Sequence, residues 1–178
     1  MTSLDSLLGD PSTAGVWNLD PERSTVAFTS RSFWGLLPVK GKFTEISGDG
    51  QITRQAAVFG RLDIRAASLA TGIGKRDDHL RSSDFFDADR FPDISVVVTA
   101  LHPTSSDTAD FRATLTVKTV TKPLGLPAGI GVIDANTVRI SAKTTIDRTQ
   151  WDVTGNLAGM VTRTVAVKAD LVFVKSPS

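Results

Sequence analysis

His79 is the first residue in this sequence that could move a proton. The chain has two histidines and neither cysteine nor tyrosine. The second histidine, His102, precedes Pro103 and reads as part of a polar turn. His79 lies in Lys75-Arg76-Asp77-Asp78-His79-Leu80-Arg81, inside Ser68 to Pro92, the densest run of charges and aromatics in the chain. Asp77 and Asp78 precede it directly, so on a helix neither has the three- or four-residue spacing that would orient its ring. Ser82 and Ser83 do have that spacing, and a Ser–His contact is within reach. No third group is placed to complete a triad. Metal chemistry is the other option, because Asp77, Asp78, His79, Asp84 and Asp87 are close together. Their spacing matches neither the EF-hand loop nor the HExxH helix. Arg76, Arg81 and Arg90 are interleaved as counter-charges. The preferred reading is an ion-pair and capping network, with Asp84 and Asp87 expected as helix N-caps. Neither catalytic residues, a metal nor a cofactor is expected.

The elements that must position this stretch are strands. Trp17 and Leu19, then Val26 and Phe28, then Val39, Gly41 and Phe43 alternate with polar neighbours at the period of a half-buried strand. The same period runs through Val58 to Arg65, where Gly60 shares a face with Val58, Leu62 and Ile64. Arg61 and Asp63 fall on the other face as a solvated pair. It returns at Ile94, Val96 and Val98, at Phe111 to Val117, at Val138 to Ile146 and at Val165 to Phe173. Thr121 to Gly131 holds two prolines and three glycines and reads as an edge strand plus loop. Ser32 to Pro38 is unusually apolar for a connection. It fits either a loop folded on the core or the rim of an apolar site. Lys75 to Arg81 can make a short helix. Eight or nine short strands with little helix mean a sandwich or barrel, and one apolar face per strand fits a closed antiparallel barrel.

Composition narrows the classes further. At 178 residues one domain is expected, able to bury roughly 70% of its unfolded surface without cross-links. Basic and acidic residues number 20 and 19, and no basic stripe marks a nucleic-acid partner. No apolar run approaches the ~20 residues of a membrane span. The first residues lack the basic and apolar regions of a secretory signal, so a cytoplasmic protein is expected. Residues 1–15 read as a flexible tail, unless Leu4, Leu7 and Leu8 form a helical turn that docks. Residues 16–175 form the domain.

Several motifs together resemble the YceI-like family. They begin with Trp17-x-Leu19-Asp20-x-x-x-Ser24-x-Val26-x-Phe28 and Val39-x-Gly41-x-Phe43-x-x-x-x-Gly48. The match is tightest in Ser68-Leu69-Ala70-Thr71-Gly72, Arg76-Asp77-x-His79-Leu80-Arg81-Ser82-x-Asp84-Phe85-Phe86-Asp87 and Phe91-Pro92. It returns at Leu115-Thr116, Val120-Thr121-Lys122-Pro123 and Asp147-Arg148-x-x-Trp151. The sequence departs from the family at Arg112 and Thr119, where glycine is usual, and near Phe33, where many relatives carry histidine.

The resemblance implies a mainly β chain, a single eight-stranded lipocalin-like barrel with a short helical crossover around residues 68–92. It also implies a hydrophobic small-molecule partner: a polyisoprenoid, an isoprenoid quinone or a fatty-acid-like lipid. Side-chain parity and apolar character place Phe28, Phe33, Trp34, Leu36, Leu37, Phe43, Leu62, Leu80, Phe85, Phe86, Val96, Val98, Leu115, Ile140 and Trp151 at the cavity or its mouth. At about 0.3 kcal/mol per heavy atom, a tail of about 30 to 40 carbons would gain about 9 to 12 kcal/mol without any polar contact. Two alternatives stay open: a packed structural or stress-response module, and a small enzyme using His79. A homodimer is also kept open.

Overall fold

The alternating runs become strands of one antiparallel sheet in the computed structural model, which describes residues 3–32, 36–155 and 162–177. The strands are β1 Gly15–Leu19, β2 Thr25–Ser32, β3 Leu37–Phe43, β4 Ile46–Ile52, β5 Val58–Arg65, β6 Leu69–Ala70, β7 Asp93–Pro103, β8 Thr108–Val117, β9 Val120–Asp134, β10 Thr137–Asp147 and β11 Thr164–Lys175. They occupy eight wall positions. β1 and β2 form one broken stave, pairing with opposite halves of β11. β3 and β4 form the next, pairing with β2 and β1 respectively. From β4 the order runs through β5, β7, β8, β9 and β10 to β11, and the β1–β11 pairing closes the barrel. The two-residue β6 adds to β3.

The break between β1 and β2 has a local cause. Asp20 accepts from the Glu22 amide and caps the 3-10 turn Pro21–Arg23. Ser24 repairs the ladder: its hydroxyl donates to the Asp20 carbonyl and accepts from the Val172 amide at 2.9 Å. Each group the turn removes from pairing thus finds a partner, as buried backbone requires.

Two expectations are corrected. Residues 4–13 are not a loose tail. Ser3 caps helix α1, Leu4–Gly9, and Leu4 and Leu7 bury in a core cluster with Trp17, Ile52, Phe111 and Val138. The Leu4 amide donates to the Ser106 carbonyl at 2.7 Å. Three leucines at helical spacing outweigh the small polar residues around them, so the docked alternative is the one realised. The second correction concerns Thr121 to Gly131, which lies inside the 15-residue β9. Its prolines are tolerated because β9 pairs with β10 only from Ala128 onward. Pro123 and Pro127 fall in the half that pairs with β8 alone, where the missing N–H is not needed on the other side.

The crossover from β5 to β7 lies over the opposite end from α1. It contains helix α2, Gly74–Arg81, and a series of turns. Its Phe85 and Ala88 pack into a second core cluster with Ile64, Ile94, Leu115 and Trp151.

Candidate functional site

The barrel is not packed solid. A cavity of about 520 Å³ runs between the two core clusters, within the range of sites that bury small ligands. Its middle is bared by glycine. Gly50 and Gly60 face each other across β4 and β5, and Gly60 faces Val98 on β7. No side chain rises from these two positions, so the backbone of β4 and β5 forms the wall. The space at Gly41 is used differently. Its cross-strand partner Phe28 folds its ring over it, and a Cβ there would collide with that ring.

Inward parity puts Phe28, Phe43, Leu62, Val96, Val98, Leu115 and Ile140 on the cavity wall. The crossover adds Leu80, Phe85 and Phe86, and the 3-10 turn Arg148–Trp151 adds Trp151. Phe28, Phe43 and Phe86 form a chain of rings, with centroids 5.4 and 6.2 Å apart. The Trp151 indole donates to the buried Leu115 carbonyl at 2.9 Å. Leu36 and Leu37 are not in the cavity and are corrected: they are 77% and 51% exposed. Leu37 has inward parity, but the β2–β3 hairpin runs on past Thr29, the last β2 residue paired with β11, and no described residue covers it there. Phe33 and Trp34 lie outside the described residues. Trp17, Phe111 and Val138, not anticipated as site residues, also line the cavity near α1. Phe111 shares the parity of Leu115 on β8, so its signal was present in the alternation.

The charged stretch is arranged as a clamp with one face to the cavity. Asp77 is buried and accepts from the Thr71 amide at 2.9 Å and from its hydroxyl at 2.5 Å. Arg81 donates to the carbonyls of Ala67 and Leu69, both at 2.8 Å, and also meets Asp78. His79 Nε2 lies 3.0 Å from Asp84 Oδ2, and its ring meets Phe85 edge-on. Ser82 does not reach that ring; its hydroxyl donates to the His79 carbonyl at 2.6 Å. The N-cap expectation for Asp84 and Asp87 is corrected. Neither precedes a helix: Asp84 partners His79, and Asp87 sits at a turn with φ 49° and meets Arg90. The crossover is pinned from outside by Gly155, where a Cβ would collide with the Asp84 carbonyl.

Arg76 and His79 share with Leu80 the cavity-facing side of α2. Arg148 reaches the same end, buried, with its guanidinium 5.6 Å from the Phe85 ring centroid. It donates to the carbonyls of Thr162 at 3.0 Å and Val153 at 2.6 Å. Burial holds its pKa below the usual arginine value, with nearby Asp147 opposing.

A closed antiparallel barrel of eight staves, with an apolar interior and a helical crossover over one end, is a lipocalin-like fold. The model of the YceI-like domain matches residues 17–173, and the chain belongs to that family. A protein described as UPF0312 from Pseudomonas fluorescens is 33% identical over 119 residues, 64% of this chain and 61% of that one. Another from Pseudomonas putida is 39% identical over 67 residues, 38% of this chain and 35% of that one. The chain thus matches about a third of the length of the latter relative. Among solved structures, BcnA of Burkholderia cenocepacia superposes with a TM-score of 0.79 at 23% identity, over 86% of this chain and 98% of that one. A polyisoprenoid binding domain from Saccharophagus degradans gives 0.76 at 20% identity, over 90% and 98%. These likenesses establish the shared fold.

Proposed function

We propose that the chain binds one long-chain amphiphile inside the barrel and sequesters or carries it without chemical change. The ligand class is a polyisoprenoid, an isoprenoid quinone or a fatty-acid-like lipid. The continuous apolar cavity of about 520 Å³ carries this reading. Apolar surface removed from water contributes about 25 cal/mol per Å², enough for a chain to bind through its tail. The name of the Saccharophagus neighbour agrees with the ligand class. The placement of Ser82 and His79 favours carriage over turnover, because the hydroxyl is committed to a backbone carbonyl.

The test is native mass spectrometry and organic extraction of protein purified without detergent, followed by uptake of geranylgeraniol. An apolar molecule in the extract, or uptake at one per chain, is expected. Gly50→Val should lower that loading while the fold survives, since the nearest atom to a new Cβ is the Phe59 carbonyl at 3.4 Å. An empty extract together with no uptake would sink the carrier reading.

A further inference from the structure

The polar groups that reach the cavity through the crossover end form one connected arc. Ser30 on β2 shares a hydrogen bond with the Thr162 hydroxyl at 3.3 Å. The Thr162 carbonyl accepts from Arg148. The Arg148 guanidinium lies over Phe85, whose edge meets His79. One helical turn back, Arg76 completes the arc. Ser30, Arg76, His79 and Arg148 all line the cavity. The carboxylates of this end are already engaged: Asp77 by the Thr71 amide and hydroxyl, one hydroxyl away from Arg76, Asp147 by Thr149 and Arg163, and Asp84, 68% exposed, by His79. Among the described residues the one acidic residue on the cavity lining, Asp49, sits on β4 at an outward-facing, exposed position.

Arg76 is held in a particular way. Its Nε donates to the Thr71 hydroxyl at 2.8 Å and its Nη2 to the Thr71 carbonyl at 3.0 Å. Both bonds lie along one edge of the guanidinium and fix its plane. No carboxylate among the described residues lies within ion-pair distance of it. An arginine fixed on one edge, beside an apolar cavity, presents donors already oriented before a ligand arrives. That removes part of the ordering cost that binding otherwise carries.

We infer that this arc is a head-group subsite, with Arg76 as its anion contact, and that it selects amphiphiles ending in a carboxylate or phosphate. The inference rests on the carrier reading and adds a direction to it: the head lies under the crossover and the tail runs toward α1. A guanidinium fork matches both oxyanions, so they share the recognition chemistry. Toward the opposite end, lined by Trp17, Phe111 and Val138, the cation on the lining among the described residues is Arg61, which faces outward and pairs with Asp63 at 2.9 Å.

The experiment compares ligands of matched chain in low salt, read by tryptophan fluorescence, since Trp17 and Trp151 both line the cavity. The probes are geranylgeranyl monophosphate against geranylgeraniol, and palmitate against 1-hexadecanol. At least one anion should bind about tenfold or more tighter than its alcohol, the scale of a charge-assisted hydrogen bond. Arg76→Gln should bring that ratio near one, and Arg76→Lys should restore part of it. Phosphate preference alone, carboxylate preference alone, or both, separates the two head groups. A ratio near one in the wild type overturns the inference and leaves the carrier reading standing. So does an unchanged ratio in Arg76→Gln, or an equal loss for all four probes with a lowered Tm, which would make Arg76 purely structural. If no probe binds, the carrier reading falls and takes this inference with it.

Discussion

The two ends of the barrel are closed by different chemistry. At one end a six-residue helix, α1, inserts Leu4 and Leu7, 2% and 5% exposed. At the other a long crossover inserts Phe85 and Phe86 and brings Arg76 and His79 with them, and the turn after β10 adds Arg148. Each end also has a buried tryptophan tied to a carbonyl: Trp17 donates to Thr13 and Trp151 to Leu115, both at 2.9 Å. The apolar anchoring is therefore alike, and the polar groups are not. A cavity with one greasy end and one cationic end has a direction, which a uniformly apolar barrel would lack. The α1 end is held by few residues and the crossover by a network, so the ends should also differ in strength.

The largest effect is expected at the crossover end. Trp151→Ala empties a core position and removes the partner of a buried carbonyl, at a cost of about 3–5 kcal/mol. Denaturant unfolding measures it; a cost below about 1 kcal/mol would mean that this turn contributes no core. The α1 end comes next. Leu7→Ala should cost about 2 kcal/mol, the low side for a buried leucine, because a six-residue helix can shift to close the gap. Hydrogen exchange should then show residues 3–13 losing protection before the crossover does. Simultaneous loss at both ends would erase the difference in strength.

The smallest effect concerns acid. Asp10 caps the 3-10 turn after α1, and the Ser12 backbone amide and hydroxyl hold its pKa below the ordinary 3.8. Asp147 caps the turn carrying Trp151, and the Thr149 hydroxyl and amide lower its pKa, helped by Arg163. Each folded pKa lies below the unfolded one. Their contribution is therefore fully present above the unfolded value and is lost as pH falls through the folded one. Tm followed from pH 6 to pH 2 should drop in the wild type below about pH 4. Asp10→Asn and Asp147→Asn should each flatten that drop slightly, and equal flattening would show two caps of similar weight. A steeper drop in either variant would reverse the assigned sign.

Much of the wall was legible because a barrel strand alternates strictly. Phe43, Leu62, Val98 and Ile140 could be placed inward from parity alone. The same rule failed at Leu37, since parity says which way a side chain points and not whether a wall stands opposite. It also passed over Phe111, although the period that placed Leu115 reaches it. The clamp was legible as a clamp from its alternating charges, but its pairings were not. Asp84 read as a cap and proved to be the partner of His79.

The eight-stranded barrel came with the family resemblance, while the sequence by itself determined the strands, their apolar faces and the position of the crossover in the chain. These follow from a period of two and from turn residues, which act over a few neighbours. Only the tertiary structure decided which charges face the cavity. Ser30, Arg76 and Arg148 stand 46 and 72 residues apart in the chain and line one cavity because β2, α2 and the turn after β10 converge on one end. Nothing local to any of the three distinguishes it from a surface residue. The docking of α1 has the same origin: Leu4 and Leu7 are ordinary leucines until the far end of the barrel supplies Trp17 and Phe111 to cover them.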